Sequence, residues 1–185
     1  MLKILTAPNK ILGSSVKPVE KIAADITKLV LEMEKTLIAQ NDPPGVGLAA
    51  PQVGKKLALF IIKPTKKAKI KVFINPKILK RTVLSKDSPY KKTKKNHVKL
   101  EGCLSIPRIW GPVKRASRVL VEYQTLTGLL TQRWFQGLEA IIIQHEIDHL
   151  TGVLFTQRAL EQNLPLYEEK KGKLEKIEDY SSTSL

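Results

Sequence analysis

The sequence around residue 145 carries the residue types needed for metal-assisted hydrolysis. His145, Glu146 and His149 form the pattern H-E-x-x-H. On a helix, positions i and i+4 lie on one face about one turn apart, so two imidazoles can bind the same metal ion. Glu146 lies beside them, where a carboxylate can take up and release a proton. The pattern therefore predicts a metal centre with an adjacent proton-transfer group.

A third protein ligand is required, because catalytic metal sites usually have three such ligands and an open position for water. The candidates are Cys103, His97 and the many carboxylates. A Cys103 thiolate would favour softer or later metals, although a free cysteine is often only a small buried hydrophobic residue. His97 lies in a lysine-rich segment, where we expect it to face solvent. The spacing of these residues leaves the choice of third ligand open.

The predicted metal-binding residues fall on a predicted helix over residues 138–150. Its apolar side chains Leu138, Ile141, Ile142 and Ile143 cover much of its circumference. A helix that is apolar on most sides is buried. We therefore expect this helix to be central, with Leu138, Ile142 and Ile143 either packed in the core or lining a pocket.

The remaining pattern predicts an α+β fold with short, mainly antiparallel strands in small sheets around the central metal-binding helix, and with an N-terminal and a C-terminal helix. An apolar stripe at spacings of three and four predicts the first helix over residues 19–41. Runs rich in β-forming residues predict strands, of which the last two form a hairpin. These runs are residues 57–62, 70–74, 119–123 and 129–135.

Length and composition indicate one soluble domain. The chain has 185 residues, which suits a single catalytic domain over residues 1–160, followed by a C-terminal helix and flexible tail over 161–185. Cys103 is the only cysteine, which excludes an internal disulfide and fits a reducing compartment. No long apolar run predicts a membrane span or an export signal. We therefore expect a cytoplasmic protein that does not bind membranes; its oligomeric state is not predictable.

The positive charge is concentrated in one segment. Residues 63–99 contain fourteen Lys or Arg residues and one acid, Asp87, within a chain of net charge +15. This basic strand-loop insert is suited to contact a polyanion such as ribosomal RNA. A solvated loop is the other interpretation, because most charge runs are of that kind.

Three segments together resemble the signature motifs of the peptide deformylase family, in that family's order. They are Gly45-Val-Gly47-Leu-Ala-Ala-Pro-Gln52, Glu101-Gly-Cys103-Leu-Ser105 and Gln144-His145-Glu146-Ile-Asp-His149-Leu150. The resemblance extends from residue 4 to residue 155, and three motifs in sequence are highly specific. It implies removal of the N-formyl group from the initiator methionine of newly made polypeptides, with release of formate.

The resemblance also implies a role for individual residues. Cys103, His145 and His149 would bind one divalent metal ion, most often Fe²⁺, with Ni²⁺, Co²⁺ or Zn²⁺ as substitutes. A hydroxide activated by the metal would attack the formyl carbon, with Glu146 as general base and acid.

Further residues of the motifs would surround the reacting group. Gln52 and the Leu104 backbone N–H would donate to the developing oxyanion, and Gly45 and Gly47 would lie against the substrate. Glu101 would be a supporting acid, with a nearby arginine such as Arg115 as its candidate partner.

Two other functions remain as alternatives at this point. An H-E-x-x-H metallopeptidase generally takes its third ligand from a downstream His or acid, but no His follows His149. A non-catalytic basic protein that binds the ribosome could keep a structural metal, but structural sites have four protein ligands. There is no second Cys, and the only other His, His97, is expected to face solvent.

Overall fold

The computed structural model describes residues 1–42, 44–82 and 100–179. The helices in this part of the chain are α1 (Ala24–Ile38), α2 (Leu138–Leu150) and α3 (Phe155–Glu161). The strands are β1 (Gly47–Ala49), β2 (Leu59–Ile62), β3 (Lys71–Arg81), β4 (Glu101–Cys103), β5 (Ile106–Gly111), β6 (Arg118–Gln124), β7 (Leu130–Gln136), β8 (Tyr167–Lys170) and β9 (Lys173–Lys176). None of the helices within the described ranges has the length and apolarity needed to cross a membrane.

The strands form two antiparallel sheets. The first has five strands in the order β1-β2-β3-β6-β7, and the second has four in the order β4-β5-β8-β9. Alternate residues of β2 point to opposite faces, so Leu59 and Ile61 pack with α1 while Phe60 and Ile62 pack with α2. The five-stranded sheet therefore has a helix on each face, and α2 lies centrally.

The α+β class and the central helix are confirmed. Helix α2 has the predicted limits, because its apolar residues and Gly137, with a φ of 60° just before the first turn, are local signals. The predicted hairpin is present as β6 and β7. The first helix is shorter than the predicted range 19–41, because the backbone N–H of Val19 binds the Asn75 side chain at 2.8 Å and holds the residues before the helix against β3.

The prediction of a C-terminal helix over residues 161–185 is wrong. Helix α3 ends at Glu161, and residues 167–176 form the hairpin β8–β9, which extends the second sheet through pairing of β8 with β5. Lys171 and Gly172 have φ angles of 51° and 74°, as required of a two-residue hairpin turn. The predicted tail beyond residue 179 lies outside the described residues. That residues 1–160 act as one catalytic domain stays a prediction.

The basic segment 63–99 is not an insert over its whole length. Residues 71–81 form β3, the middle strand of the five-stranded sheet, with Phe73 and Ile74 fully buried. These residues therefore belong to the fold itself. Residues 83–99, including His97, lie outside the described residues.

Candidate metal centre and active site

Three potential metal ligands come together between helix α2 and strand β4. One ligand atom from each of Cys103, His145 and His149 lies within 4.8 Å of the other two. Cys103 Sγ is 3.2 Å from Nε2 of His149. The ladder between β4 and β5 is irregular between Gly102 and Cys103, and such irregularities re-aim side chains. The predicted third ligand is thus at the predicted histidine pair.

The donor set fits a divalent metal. A tetrahedral ion with bonds of about 2.0–2.3 Å holds its ligand atoms roughly 3.5 Å apart. The 3.2 Å between Cys103 Sγ and His149 Nε2 is close to this value, and all three ligand atoms lie within 4.8 Å of one another. In the part of the chain that the structure describes, Oε2 of Glu146 is buried and has no hydrogen-bond partner. A buried carboxylate oxygen without a partner at this position is suited to a water molecule or substrate brought by the metal.

Glu101 orients one of the two histidines. Its Oε2 lies 3.0 Å from Nδ1 of His145, which leaves Nε2 of that ring for the metal. Arg115 donates to both carboxylate oxygens of Glu101, each at 2.9 Å. Arg115 was the predicted partner of Glu101, and the structure places the two groups in a bidentate ion pair. Carboxylates that bind the outer nitrogen of a ligand histidine fix its tautomer and orientation.

Asp148 belongs to the same charge network. It is turned away from solvent, and its hydrogen bonds go to arginines and not to the metal-binding side chains. It is 9% exposed, and its Oδ2 accepts from Nη1 of Arg115 at 2.5 Å. Its Oδ1 accepts from Nη2 of Arg158 at 3.0 Å. The network therefore links α3 and α2, through Asp148, to Arg115 after β5. Through Arg115 it reaches Glu101 on β4, which contacts His145. Its role is to hold Arg115, and through Arg115 to hold Glu101.

The charges of this network shift the pKa values of the site. Burial alone raises the pKa of Glu101, but hydrogen bonds from His145 and Arg115 lower it to about 2. Burial also opposes ionisation of Cys103 and His145. The charged forms are nevertheless favoured, because the two histidines stabilise the Cys103 thiolate, and Cys103 and Glu101 stabilise protonated His145. As a result the pKa of Cys103 lies well below its ordinary value, and that of His145 well above. The thiolate form of Cys103 is the form that binds metals.

Glu146 lies against Gly47 in the same pocket. Burial raises the pKa of the Glu146 carboxyl to about 7, although the charges of His145 and His149 lower it. A Cβ atom at Gly47 would lie 2.2 Å from Oε1 of Glu146. Glycine is therefore required at residue 47 to admit the carboxylate, which is a different reason from the expected position of Gly47 against the substrate.

Gln52 is buried beside Cys103 and is fixed at both ends of its amide. Its Oε1 accepts from the backbone N–H of Ala49 at 2.8 Å. Its Nε2 donates to the hydroxyl oxygen of Ser105 at 3.1 Å and to Sγ of Cys103 at 3.5 Å. No role was predicted for Ser105, which belongs to the second motif. The turn between β4 and β5 places it next to Gln52. The amide N–H groups are thus held at the metal centre.

A mostly apolar pocket of about 340 Å³ opens onto the centre. Gly45, Gly47 and Leu104 line it as expected from the motifs. Leu138 and Ile142 line it as well, whereas Ile143 is fully buried in the core between α2 and the sheet. The other apolar lining residues were not predicted, because they come from four separate segments of the chain. They are Pro44, Val46, Leu100, Trp110 and Ile141.

Comparisons with known proteins agree with this geometry. Residues 1–164 match the family described as polypeptide deformylase. A peptide deformylase from a Bradyrhizobium species is 40% identical over 160 residues, which cover 83% of this chain and 83% of the relative.

Solved structures give the same result. The crystal structure of a peptide deformylase from Thermotoga maritima is 33% identical, with a TM-score of 0.71, and the match covers 85% of this chain and 97% of that one. A Met-Ala-Ser-bound class I type b peptide deformylase from Acinetobacter baumannii is 32% identical, with a TM-score of 0.71 over 85% of this chain and 98% of that one. With Cys103, His145 and His149 meeting beside a buried Glu146, these matches show that the chain belongs to the peptide deformylase family.

Proposed function

We propose that this chain removes the N-formyl group from the initiator methionine of newly made polypeptides, with Cys103, His145 and His149 as the ligands of one divalent metal. The observation that carries the proposal is the meeting of these three ligand atoms within 4.8 Å beside the buried carboxylate of Glu146. A metallopeptidase with a downstream His or acid as third ligand is not supported, because the thiolate of Cys103 occupies that position.

The proposed metal is Fe²⁺, with Ni²⁺, Co²⁺ or Zn²⁺ as possible substitutes. The support is the mixed donor set of one thiolate and two imidazoles, since sulfur favours the softer and later divalent ions over Mg²⁺ or Ca²⁺. When bound, the metal lowers the pKa of a water molecule and polarises the formyl carbonyl.

Glu146 is the proposed proton carrier of the hydrolysis. The reaction forms a bond from a water oxygen to the formyl carbon and breaks the bond from that carbon to the methionine nitrogen. Glu146 takes the proton of the water and delivers it to the departing nitrogen, so that formate and a free amine are released. A pKa of about 7, raised by burial, suits a group that must both accept and donate a proton near neutral pH.

Gln52 and Leu104 are proposed to bind the oxyanion that forms on the formyl oxygen. The Gln52 amide is held beside Cys103 by Ala49 and Ser105, so its donors need little reorganisation during the reaction. Leu104 follows Cys103 directly and lines the same pocket, where its backbone N–H is the second proposed donor.

The substrate is proposed to enter along Gly45 and Gly47. The apolar lining from Leu138, Ile142 and neighbouring residues suits the unbranched, flexible side chain of methionine. The Acinetobacter baumannii relative with bound Met-Ala-Ser supports a peptide with an N-terminal methionine as the ligand class.

The proposed location is the cytoplasm, and the proposed partner beside the nascent peptide is ribosomal RNA, contacted through the basic segment 63–99. The support for the RNA partner is the charge of this segment, which has fourteen basic residues and one acidic residue.

The decisive experiment measures formate release from formyl-Met-Ala-Ser by protein loaded with Fe²⁺ or Ni²⁺. Glu146→Gln should lower kcat by about 10²- to 10⁴-fold while the protein keeps its metal. Glu122→Gln, on a strand far from the pocket, is the matched control. A folded, metal-loaded wild-type protein that releases no formate would contradict the proposed function. Iron content after anaerobic purification tests the choice of metal separately.

A further inference from the structure

Within the described ranges of the chain, no helix covers half of one face of the five-stranded sheet. Helix α1 packs on this face against β1 and β2. On β6 and β7, Val119, Val121 and Phe135 point to the opposite face and pack with α2. Because side chains alternate along a strand, Leu120 and Trp134 point to the α1 side. We call this half the β6–β7 face and define it by six residues. They are Lys77, Lys80, Arg118, Leu120, Leu130 and Trp134.

The register aligns charged and apolar groups on the β6–β7 face. Lys80 of β3 pairs with Leu120 of β6, which pairs with Trp134 of β7, so the three lie in one row across the strands. Trp134 is 39% exposed and Leu130 is 62% exposed. Exposed apolar side chains therefore lie among exposed cations on this face.

An arginine and a tryptophan on this face form a preorganised pair. The guanidinium carbon of Arg118 lies 4.9 Å from the ring centroid of Trp134. The same two residues line an open recess of about 480 Å³ at the edge of the sheet formed by β7. The rest of its lining is Arg133, Phe135, Gln136 and Glu139, and the carboxylate of Glu139 is paired with Lys71. An indole with a stacked guanidinium and open space beside it can accept a nucleobase, while the cations bind phosphate.

The charge of the face selects its partner. Lys77, Lys80 and Arg118 are exposed, and the acid Glu122 beside them accepts a hydrogen bond from Gln132 at 2.6 Å. A second copy of the chain, packed symmetrically on this face, would bring like charges together. A polyanion is the complementary occupant.

We propose that the β6–β7 face binds single-stranded RNA, with a base stacked on Trp134 and phosphates bound by Lys80 and Arg118. An unpaired strand is required, because a base within a duplex is not free to stack on an indole. The assignment rests on the RNA partner of the proposed function but not on its hydrolytic reaction. The proposed surface is built from β3, β6 and β7, so it differs from the basic segment 63–99, with which it shares only Lys77 and Lys80.

The test measures binding of a labelled oligouridylate of roughly 12 nucleotides by fluorescence anisotropy, between about 50 and 200 mM KCl. Lys80→Gln with Arg118→Gln should reduce the steepness of the log–log salt dependence by about 1.4, which corresponds to two lost phosphate contacts. Trp134→Ala should weaken binding about 10-fold and leave the salt dependence unchanged, because stacking is not ionic. Lys114→Gln with Lys173→Gln removes two exposed cations elsewhere and is the matched control.

The outcomes separate this proposal from others. Equal loss of binding in the double variant and in its control would overturn it, as would a wild-type protein that binds polyglutamate as tightly as RNA or that dimerises through this face. Formate release should be unchanged in both double variants, which also shows that they fold. If RNA binding follows the expected pattern while the wild type releases no formate, the proposed hydrolysis fails and the RNA surface stands.

Discussion

Nδ1 of His145 lies 3.0 Å from Oε2 of Glu101, on the side of the imidazole away from Cys103 and His149. Because Arg115 holds the same carboxylate with two hydrogen bonds, the ring of His145 is fixed before a metal arrives. The metal centre therefore depends on a charged group that is not itself a ligand.

Glu101→Gln should weaken metal binding about 10- to 100-fold, the usual cost of losing a carboxylate behind a ligand histidine. The glutamine amide is similar in size, but its oxygen accepts hydrogen bonds from His145 and Arg115 more weakly than a charged carboxylate does. Competition with a chromogenic chelator measures the affinity, and Glu122→Gln is the control. Equal metal affinity of Glu101→Gln and the control would show that the Glu101 carboxylate does not orient His145.

The same variant should change the acid stability of the metal-free protein. The folded-state pKa of Glu101 is about 2, below its ordinary value of 4.5. The stability that this group contributes is therefore present above pH 4.5 and is lost as the pH falls toward 2. The difference in the free energy of unfolding between wild type and Glu101→Gln should shrink by about 3 kcal/mol over this window. Urea titrations at a series of pH values measure it, and a constant difference would contradict the expectation.

Gly47→Ala should lower kcat by about 10²-fold, because a Cβ at residue 47 would lie 2.2 Å from Oε1 of Glu146 and would displace the carboxylate. Metal content should stay near that of the wild type, since Gly47 meets no ligand. Gly13→Ala is the matched control, because a Cβ at Gly13 has no atom within 4 Å. A Gly47→Ala variant with full activity would mean that Glu146 can act from another position.

Gln52 and Ser105 offer a second matched pair. Gln52→Ala should lower kcat by about 10²- to 10³-fold if its amide binds the oxyanion. Ser105→Ala removes only the acceptor that orients this amide, so its effect on kcat should be clearly smaller. Formate release by both variants at saturating substrate makes the comparison. An equal loss in the two variants would assign Gln52 a structural role in the turn around Cys103.

Local patterns predicted helix α2, which carries His145, Glu146 and His149, but not strands β1 and β4, which carry Gly47 and Cys103. They also did not predict the contacts between these elements. Helix α2 and the β6–β7 hairpin could be predicted because their apolar periodicity lies within one segment. The distance between Cys103 and His149 could not, because it depends on how β4 is placed against α2, and only the family resemblance selected Cys103. The β8–β9 hairpin was missed because its charged sequence is compatible with a helix. The glycine at residue 172, which allows the positive φ that a two-residue hairpin turn requires, is the sequence signal that could have revealed it.

That hairpin has a direct connection to the pocket, and this gives the last prediction. Nε1 of Trp110 donates to Oε2 of Glu169 on β8 at 3.0 Å, and the Trp110 ring lies so close to Gly102 that a Cβ there would be 2.7 Å from it. Trp110 lines the pocket but is not among the ligand, proton-transfer or oxyanion groups.

Glu169→Ala should therefore raise KM for formyl-Met-Ala-Ser about 3- to 10-fold, the cost of one lost hydrogen bond, with little change in kcat. Glu169→Gln keeps an acceptor for the indole N–H and should restore KM, whereas Glu175→Ala on β9 should have no effect. Trp110 fluorescence in a Trp134→Phe background reports directly on the ring. A change in kcat without a change in KM would place the effect of Glu169 on the metal centre instead of on substrate binding.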